Sequence, residues 1–492
     1  MKAIETILSI GNVFAFLAVG IPWPRAARWV RHGVPVVGLV AVAQVFVEGA
    51  RWPMVPAYVL SGLFCLAWLW KSTAPTGRSA GRQPNRRRSV ALGILGLSAS
   101  IALPAMSPGV RFPPPSGPYE IGTVTYHWTD ADRREVFDAD PDARRELMVQ
   151  IWYPAMGEPS SPRAPYAQDG RALASALSRL HHIPAFVFAN LSTFTTNAIP
   201  FARVSDKEPR YPVLVFLEGL AGIRQMNTFQ VEELVSQGYV VVAVDQPFTA
   251  ALVVFPDGRQ AAGLSKDQAD GLIQQSIRPA SRAPRLHGPA FEDGIVPYLA
   301  RDVTFTLDQL TRLNQPDADG LLAGRLDLQR VGIFGVSLGG IVGSEACRVE
   351  PRLRACLVMD APMPAAVVRA GLRQPSMWIT RDAETMRLEG WAPADVEQHQ
   401  TTMRAVFERL PGDGYFVQVR GMYHANLTDT PTWSPLFSRL GVTGPLDERR
   451  AHRLINAYSV AFFDRHLRGR SAALLDGAAE QPPEVLLETG RP

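Results

Sequence analysis

The chain has 492 residues, a formal net charge of +4 and 47% hydrophobic residues. The length favours two or more structural units. Its three cysteines, Cys65, Cys347 and Cys356, are too few for a disulfide framework, and we interpret them as buried free thiols. The sequence has no phosphate-binding loop, no Cys-x-x-Cys pair and no His-rich metal spacing, so we expect neither an organic cofactor nor a metal.

The N-terminal part of the chain is membrane-like. Apolar runs near the length that spans a bilayer occupy residues 6–21, 33–47, 54–70 and 89–106. A cleaved signal peptide is the alternative, but it would be followed by a soluble chain and not by three further apolar runs. The pattern therefore predicts four transmembrane helices.

Positive charge is concentrated in the first and third connections between these runs. The cations are Arg25, Arg28, Arg31, Lys71, Arg78, Arg82, Arg86, Arg87 and Arg88. Short loops rich in Lys and Arg stay in the cytoplasm. Both loops can do so only if both ends of the four-helix region lie outside, so we expect an inner or plasma membrane protein with its C-terminal part exported. The Arg86–Arg88 cluster could also be a nucleic-acid patch, but its position between apolar runs favours a topology determinant, and we expect no nucleic-acid partner.

A proline-rich segment follows the last apolar run. Residues 104–118 contain six prolines, a composition that favours an extended tether. We therefore expect a transmembrane region at 1–106, a linker at 107–118 and a C-terminal domain at 119–492.

In the C-terminal domain, short apolar strands alternate with amphipathic helices. The predicted strands are 146–153, 212–217, 239–244, 331–334, 355–359, 376–380 and 415–419. The predicted helices are 227–237, 295–313, 338–348, 393–410 and 446–467. This alternation is typical of an α/β fold, with a mainly parallel sheet flanked by helices.

Residues 331–340, Val-Gly-Ile-Phe-Gly-Val-Ser-Leu-Gly-Gly, contain a Gly-x-Ser-x-Gly motif between a predicted strand and a predicted helix. Such a turn holds a serine hydroxyl clear of its neighbours and ready for attack, as in the nucleophile elbow of α/β-hydrolases. Gly335 and Gly339 would allow the strand and the helix to pack closely around Ser337. The bare pattern also arises by chance, but its position and the downstream acid and histidine candidates favour a catalytic serine.

Two aspartates are candidates for the acid of a catalytic triad, because triad members in this fold follow the order Ser, acid, His. Asp360 ends the predicted strand after the nucleophile helix, and Asp382 follows the next strand. Both positions point toward the crevice at the carboxyl ends of the strands. Either aspartate could instead be a helix-capping residue, so position alone leaves the choice open.

The candidate base is His424, which lies just after the last predicted strand. The other histidines that follow Ser337 are His399, His452 and His466. These three fall on predicted helices, and we interpret them as surface or packing residues.

An oxyanion hole needs two backbone N–H groups. One would come from Leu338, and the other from Leu220 in the segment Phe-Leu-Glu-Gly-Leu-Ala-Gly at 216–222. An ordinary glycine-rich turn is the alternative interpretation of that segment.

Together these motifs resemble the platelet-activating-factor acetylhydrolase family of serine-dependent, calcium-independent lipases, the group VII phospholipases A2. The resemblance covers residues 121–467 and rests on segments 213–220, 335–340, 359–361 and 420–426. It implies that Asp360 is the acid, that Leu220 and Leu338 supply the oxyanion amides, and that short-chain or oxidised phospholipid esters are the substrates. Two residues depart from the family pattern, which commonly has histidine where this chain has Glu218 and Val336. A carboxylate at Glu218 would oppose catalysis unless it points away, pairs with a cation such as Arg224, or is protonated.

These features predict a membrane-anchored serine ester hydrolase with a lipid or small ester as its substrate. A generic carboxylesterase, polyesterase or thioesterase is one alternative, since a triad does not define the acyl group. A catalytically silent membrane sensor or interaction domain is another, because of Glu218. The apolar segment 182–191 could form a lid or a lipid-facing wall, or could be ordinary core.

Overall fold

A computed structural model describes residues 3–21, 30–48, 51–73, 86–106, 112–158, 160–188, 191–287, 290–315, 320–434 and 436–490. The chain divides into two compact units, one formed mainly by Met1–Gly109 and the other mainly by Val110–Thr432 and Phe437–Pro492.

The first unit consists of apolar helices. They are α1 (Ala3–Gly20), α2 (Val34–Glu48), α3 (Val55–Thr73) and α4 (Arg86–Met106), with a 3₁₀ turn at Trp52–Met54. The four apolar segments have mean hydropathies of 1.5 to 1.7 and lengths of 18 or 19 residues, which suffices to cross a bilayer. The prediction of four apolar N-terminal helices is confirmed. Pro104 lies inside α4 and not in the tether.

Several buried polar side chains inside this unit form hydrogen bonds or ion pairs with one another. Arg51 Nη1 donates to Glu5 Oε1 at 2.7 Å, and both side chains are buried. Deeper along the helices, Asn12 Nδ2 donates to the carbonyl of Ala57 at 3.0 Å and Ser61 Oγ donates to Asn12 Oδ1 at 2.9 Å. Such bonds satisfy groups that would be costly to leave unpaired in hydrocarbon.

The second unit is an α/β domain. Its strands are β1 (Glu120–Arg134), β2 (Arg144–Ala155), β3 (Ala198–Pro200), β4 (Tyr211–Leu217), β5 (Val240–Asp245), β6 (Leu252–Val254), β7 (Gln260–Ala262), β8 (Leu326–Val336), β9 (Leu353–Met359), β10 (Ser376–Thr380), β11 (Gly414–Val419) and β12 (Val485–Gly490). Its helices are α5 (Gly170–His181), α6 (Thr228–Ser236), α7 (Lys266–Ile277), α8 (Val296–Leu313), α9 (Leu338–Val349), α10 (Ala365–Ala370), α11 (Ala383–Leu388), α12 (Pro393–Phe407), α13 (Thr430–Trp433), α14 (Leu436–Arg439) and α15 (Glu448–Arg468).

Ten of these strands form one mixed sheet in the order β12-β11-β10-β9-β8-β4-β5-β2-β1-β3. The six strands from β11 to β5 run parallel, whereas β12 and β2 add to them antiparallel. The predicted α/β-hydrolase fold is confirmed, and all seven predicted strands and five predicted helices are present within a few residues of their expected ends. The sequence did not predict β1, β3, β6, β7 or β12.

Both faces of the sheet are covered, which explains the near-continuous apolar strands. On β4, Val213, Val215 and Leu217 join the core on one face, while Leu214 and Phe216 join the core on the other. This burial fixes the carboxyl ends of β8, β9 and β11, where the candidate site residues lie.

The cysteines and the apolar segment 182–191 are placed as follows in the fold. Cys347 and Cys356 are buried free thiols, and Cys65 is a half-buried free thiol. In the apolar segment 182–191, Phe188 and Leu191 are buried whereas Ala185 is exposed. Residues 189–190 lie outside the described residues.

Candidate active site

Ser337 occupies a sharp turn between β8 and α9. Its φ and ψ of 54° and −123° fall in a region that non-glycine residues rarely adopt. Its N–H donates to the carbonyl of Met359 at 2.9 Å, which holds the turn against the end of β9. A strained serine at a strand-to-helix turn is the geometry that the Gly-x-Ser-x-Gly motif predicted.

The two motif glycines are required by close backbone approach. A Cβ atom on Gly339 would lie 2.0 Å from the carbonyl oxygen of Leu217, and one on Gly335 would lie 2.4 Å from that of Gly339. Real Cβ atoms do not come this close to backbone, so larger residues would force β8, β4 and α9 apart.

Asp360 and His424 are in direct contact. Asp360 follows β9 with a positive φ of 48° and is buried, while His424 begins the 3₁₀ turn His424–Leu427 after β11. His424 Nδ1 lies 2.6 Å from Asp360 Oδ2, and the imidazole side chain remains 29% exposed. A contact at Nδ1 orients the ring and leaves Nε2 for acid–base chemistry.

Three further groups surround the Asp360 carboxylate. Thr380 Oγ1 donates to Oδ1 at 2.9 Å, Arg381 Nη2 lies 2.8 Å from Oδ2 in an ion pair, and His399 Nε2 lies 3.3 Å from Oδ1. Burial opposes ionisation of this carboxyl, but the charge of Arg381 and the contacts of the two histidines outweigh burial and hold the pKa of Asp360 well below its ordinary value. Asp360 is therefore an anion whenever the domain is folded near neutral pH.

His399, interpreted as a surface or packing residue, is buried and not on the surface, and it also contacts the candidate acid. His399 is 1% exposed and faces Asp360. Burial lowers its pKa despite the neighbouring carboxylate, so His399 is neutral near pH 7. Its position on a predicted helix gave no sign of this contact. Arg381 was also missed, although it directly follows a predicted strand that neighbours β9.

Asp382, the other candidate acid, caps a helix. Its Oδ1 accepts the N–H of Thr385 at 2.8 Å and its Oδ2 accepts the Thr385 hydroxyl at 2.9 Å. This is the capping role that the sequence offered as the alternative for either aspartate.

The predicted oxyanion loop lies beside Ser337. A Cβ atom on Gly219 would be 3.1 Å from Ser337 Cβ, so the two backbones nearly touch. The amides of Ala221 and Gly222 donate to Thr249 and Gly219, at 2.8 and 2.9 Å. The amides of Leu220 and Leu338 donate to no group in the described part of the chain, so neither N–H is used to hold the fold together.

Glu218 is buried next to this loop and does not pair with Arg224. Arg224 instead forms an ion pair with Asp245, whose Oδ1 also accepts the Arg224 N–H at 2.6 Å. Burial and the nearby Asp245 charge raise the pKa of Glu218 well above its ordinary value. One Glu218 oxygen accepts the N–H of Gln246 at 3.2 Å, and the other accepts no hydrogen bond from a described residue. A protonated, neutral Glu218 fits this environment.

The sheet, its helices and the serine turn define an α/β-hydrolase. Residues 104–270 match the model of the family described as platelet-activating factor acetylhydrolase, isoform II. The resemblance to this family expected from the motifs is thereby confirmed. The matched segment includes the loop of Glu218 and Leu220 and ends before Ser337.

Individual relatives agree with this family. The chain is 20% identical to a platelet-activating factor acetylhydrolase of Gallus gallus over 379 residues, 73% of this chain and 84% of that protein. Matches to the enzymes of Cavia porcellus and Canis lupus familiaris are 24% and 23% identical, cover 52% and 58% of this chain, and span only 58% and 63% of those proteins. Among solved structures, a ferulic acid esterase from Streptomyces cinnamoneus is 27% identical with a TM-score of 0.58, over 77% of this chain and 99% of that one.

Proposed function

We propose that the chain is a serine ester hydrolase with Ser337, His424 and Asp360 as its triad. The observation that carries this proposal is the 2.6 Å contact between His424 Nδ1 and Asp360 Oδ2. The strained Ser337 is hydrogen-bonded through its backbone to Met359, the residue directly before Asp360. An oriented acid–base pair that can reach a serine hydroxyl is the minimum set for activating a serine.

In the proposed mechanism, Ser337 Oγ attacks an ester carbonyl while His424 Nε2 accepts the hydroxyl proton. Asp360 stabilises the resulting imidazolium and fixes its tautomer. The free amides of Leu220 and Leu338 bind the oxyanion of the tetrahedral intermediate. His424 then protonates the leaving alcohol, and a water molecule activated by the same imidazole hydrolyses the acyl-enzyme. No metal or organic cofactor takes part.

For the substrate, we propose short-chain or oxidised acyl esters of phospholipid-like molecules, by similarity to the platelet-activating factor acetylhydrolases. The four apolar helices would anchor the enzyme in the membrane that holds such lipids. The positive loops support an orientation with the catalytic domain on the exported side.

A generic carboxylesterase is the second candidate, because the ferulic acid esterase is similar over three quarters of the chain. The two candidates differ in the ester that they cleave fastest. We would compare kcat/KM of the full chain in detergent for a 2-acetyl phospholipid, its longer-chain homologues and methyl ferulate. Preference for the acetyl phospholipid supports the lipid assignment, and preference for methyl ferulate contradicts it.

The argument for a catalytically silent sensor domain was the charge of Glu218. A neutral Glu218 would not repel an oxyanion, which removes that argument. Labelling by a fluorophosphonate probe separates an active serine hydrolase from such a domain. We expect stoichiometric labelling, and a folded, unlabelled protein would support the sensor.

A further inference from the structure

A fully buried cation contacts the candidate acid. Arg381 directly follows β10 and is 0% exposed. Its Nη2 lies 2.8 Å from Asp360 Oδ2, the same oxygen that contacts His424 Nδ1. Arg381 and His424 therefore contact the same carboxylate oxygen, and Arg381 is too buried to meet a substrate.

The other end of the guanidinium leads back to His424. Arg381 Nη1 forms an ion pair with Glu389, which directly follows α11. Glu389 Oε1 accepts the backbone N–H of His424 at 3.1 Å. The contacts close a ring that runs from the Asp360 carboxylate through Arg381 and Glu389 to the backbone of His424, and from its imidazole back to Asp360.

An aromatic side chain covers this ring of contacts. The Arg381 guanidinium lies 4.8 Å from the ring centre of Trp391. The Trp391 ring makes T-shaped contacts with His424 and His399, at centre-to-centre distances of 5.7 and 5.5 Å. Burying a guanidinium is costly unless carboxylates and hydrogen bonds compensate for lost water. The charge of Arg381 is compensated by two carboxylates, although its Nε and Nη2 make no hydrogen bond with a described residue.

We propose that Arg381 and Glu389 are positioning residues of the esterase, which together set the charge and orientation of the Asp360–His424 pair. This inference rests on the proposed function. Arg381 would hold the carboxylate toward the imidazole, and Glu389 would tie the backbone of the base to the same guanidinium.

The proposal predicts opposite electrostatic effects for the two residues. Loss of the Arg381 charge leaves Asp360 and Glu389 uncompensated, so His424 should bind a proton more tightly. Loss of the Glu389 charge leaves Arg381 less neutralised, so His424 should bind a proton less tightly. His399, the other histidine at Asp360, is neutral near pH 7 in the wild type; because the Arg381 charge helps to lower the pKa of His399, that pKa should also rise in Arg381→Gln, whereas Glu389→Gln leaves the Arg381 charge in place.

The test uses the full chain in detergent and measures kcat and KM for p-nitrophenyl butyrate from about pH 5 to pH 9, where a protonated base defines the acid limb of the profile. We expect Arg381→Gln to move the acid limb of kcat/KM up by about one pH unit and to lower kcat about tenfold, with little change in KM. Glu389→Gln keeps an acceptor for the His424 N–H and should move the limb down. The double variant should return the acid limb toward its wild-type position. Arg381→Lys keeps the positive charge, so its acid limb and kcat should stay close to those of the wild type.

Arg404→Gln is the matched control. Like Arg381, Arg404 forms an ion pair with a glutamate. Its partner is Glu488, through two hydrogen bonds of 2.5 Å each, and neither residue contacts Asp360 or His424. Its pH profile should be that of the wild type.

Two results would overturn the inference. One is an acid limb that stays in place in both single variants, and the other is a limb that moves in the same direction in both, since a packing role gives no opposite shifts. If Arg381→Gln fails to fold by circular dichroism, Arg381→Lys and Glu389→Gln still decide the question. Failure of the proposed function looks different, because Ser337→Ala would then retain activity.

Discussion

The backbone N–H of Ser337 donates a 2.9 Å hydrogen bond to the carbonyl of Met359, the residue directly before Asp360. The elbow at the end of β8 and the candidate acid directly after β9 are thus joined through a backbone hydrogen bond. Because neighbouring parallel strands end at the same edge of the sheet, a displacement of one strand end would displace both groups.

The two candidate acids should respond differently to the same substitution. Asp360→Asn removes the charge that faces His424 and favours the wrong imidazole tautomer, so kcat should fall by about 10⁴. Asp382→Asn keeps an acceptor for the Thr385 N–H and should leave kcat within about threefold, because asparagine caps helices as well as aspartate does. Ester hydrolysis is measured on samples whose circular dichroism matches the wild type. If Asp382→Asn, and not Asp360→Asn, lowers kcat by several orders of magnitude, the assignment of Asp360 is wrong.

Glu218 should behave as a neutral acid. We expect Glu218→Gln to keep kcat/KM within about threefold at pH 7, since an amide replaces a protonated carboxyl of similar shape. The ordinary pKa of a glutamate is 4.5, so the unfolded chain releases the Glu218 proton above that pH. The folded state keeps the proton to a higher pH, because the pKa of Glu218 is raised there. The wild-type free energy of unfolding should therefore decline as pH rises from that value through the pKa in the folded state, and the variant should decline less. Urea titrations at several pH values measure this, and equal slopes in both proteins would refute a protonated Glu218.

Hydrolysis should survive treatment with EDTA. The described residues contain no group of three or more His, Cys, Asp or Glu side chains that could hold a metal ion. The proposed mechanism also needs only side chains and backbone amides. Loss of activity on chelation, with recovery when calcium or zinc is added, would contradict this expectation.

The orientation in the membrane can be tested with reporters. If the loops that contain Arg25–Arg31 and Lys71–Arg88 both stay in the cytoplasm, alkaline phosphatase fused after Pro492 should be active and a fluorescent protein that folds only in the cytoplasm should be dark. Neutralising the six cations between Lys71 and Arg88 should weaken this asymmetry. A fluorescent fusion of the unaltered chain would reverse the proposed location of the catalytic domain.

The fold was largely predictable because its central strands are apolar on both faces and its helices alternate with them. Strand β1 was missed although Val124, Tyr126 and Trp128 alternate with polar residues, which is a strand pattern. Strands β3, β6 and β7 have three residues each, too few for a periodic signal.

The candidate site was predictable only where a local motif or the chain order marks a residue. Ser337 lies in such a motif, and Asp360 and His424 follow strands. Arg381 and His399 reach Asp360 through contacts that depend on the packing of separate elements, and no spacing along the chain encodes such contacts. The raised pKa of Glu218 likewise depends on its burial and on Asp245, which pairs with Arg224, and only the folded structure reveals these contacts.

The most direct test of the central claim is fluorophosphonate labelling and ester hydrolysis of Ser337→Ala beside Ser344→Ala. Ser344 lies on α9, where its buried hydroxyl donates to the carbonyl of Ile341 at 2.7 Å. We expect Ser337→Ala to fold normally and to lose both labelling and hydrolysis, because the hydroxyl is the proposed nucleophile and its removal exposes little apolar area. Ser344→Ala should remain labelled and active. Hydrolysis by Ser337→Ala within about tenfold of the wild-type rate would contradict the assignment of Ser337 as the nucleophile, since removal of a catalytic serine costs several orders of magnitude.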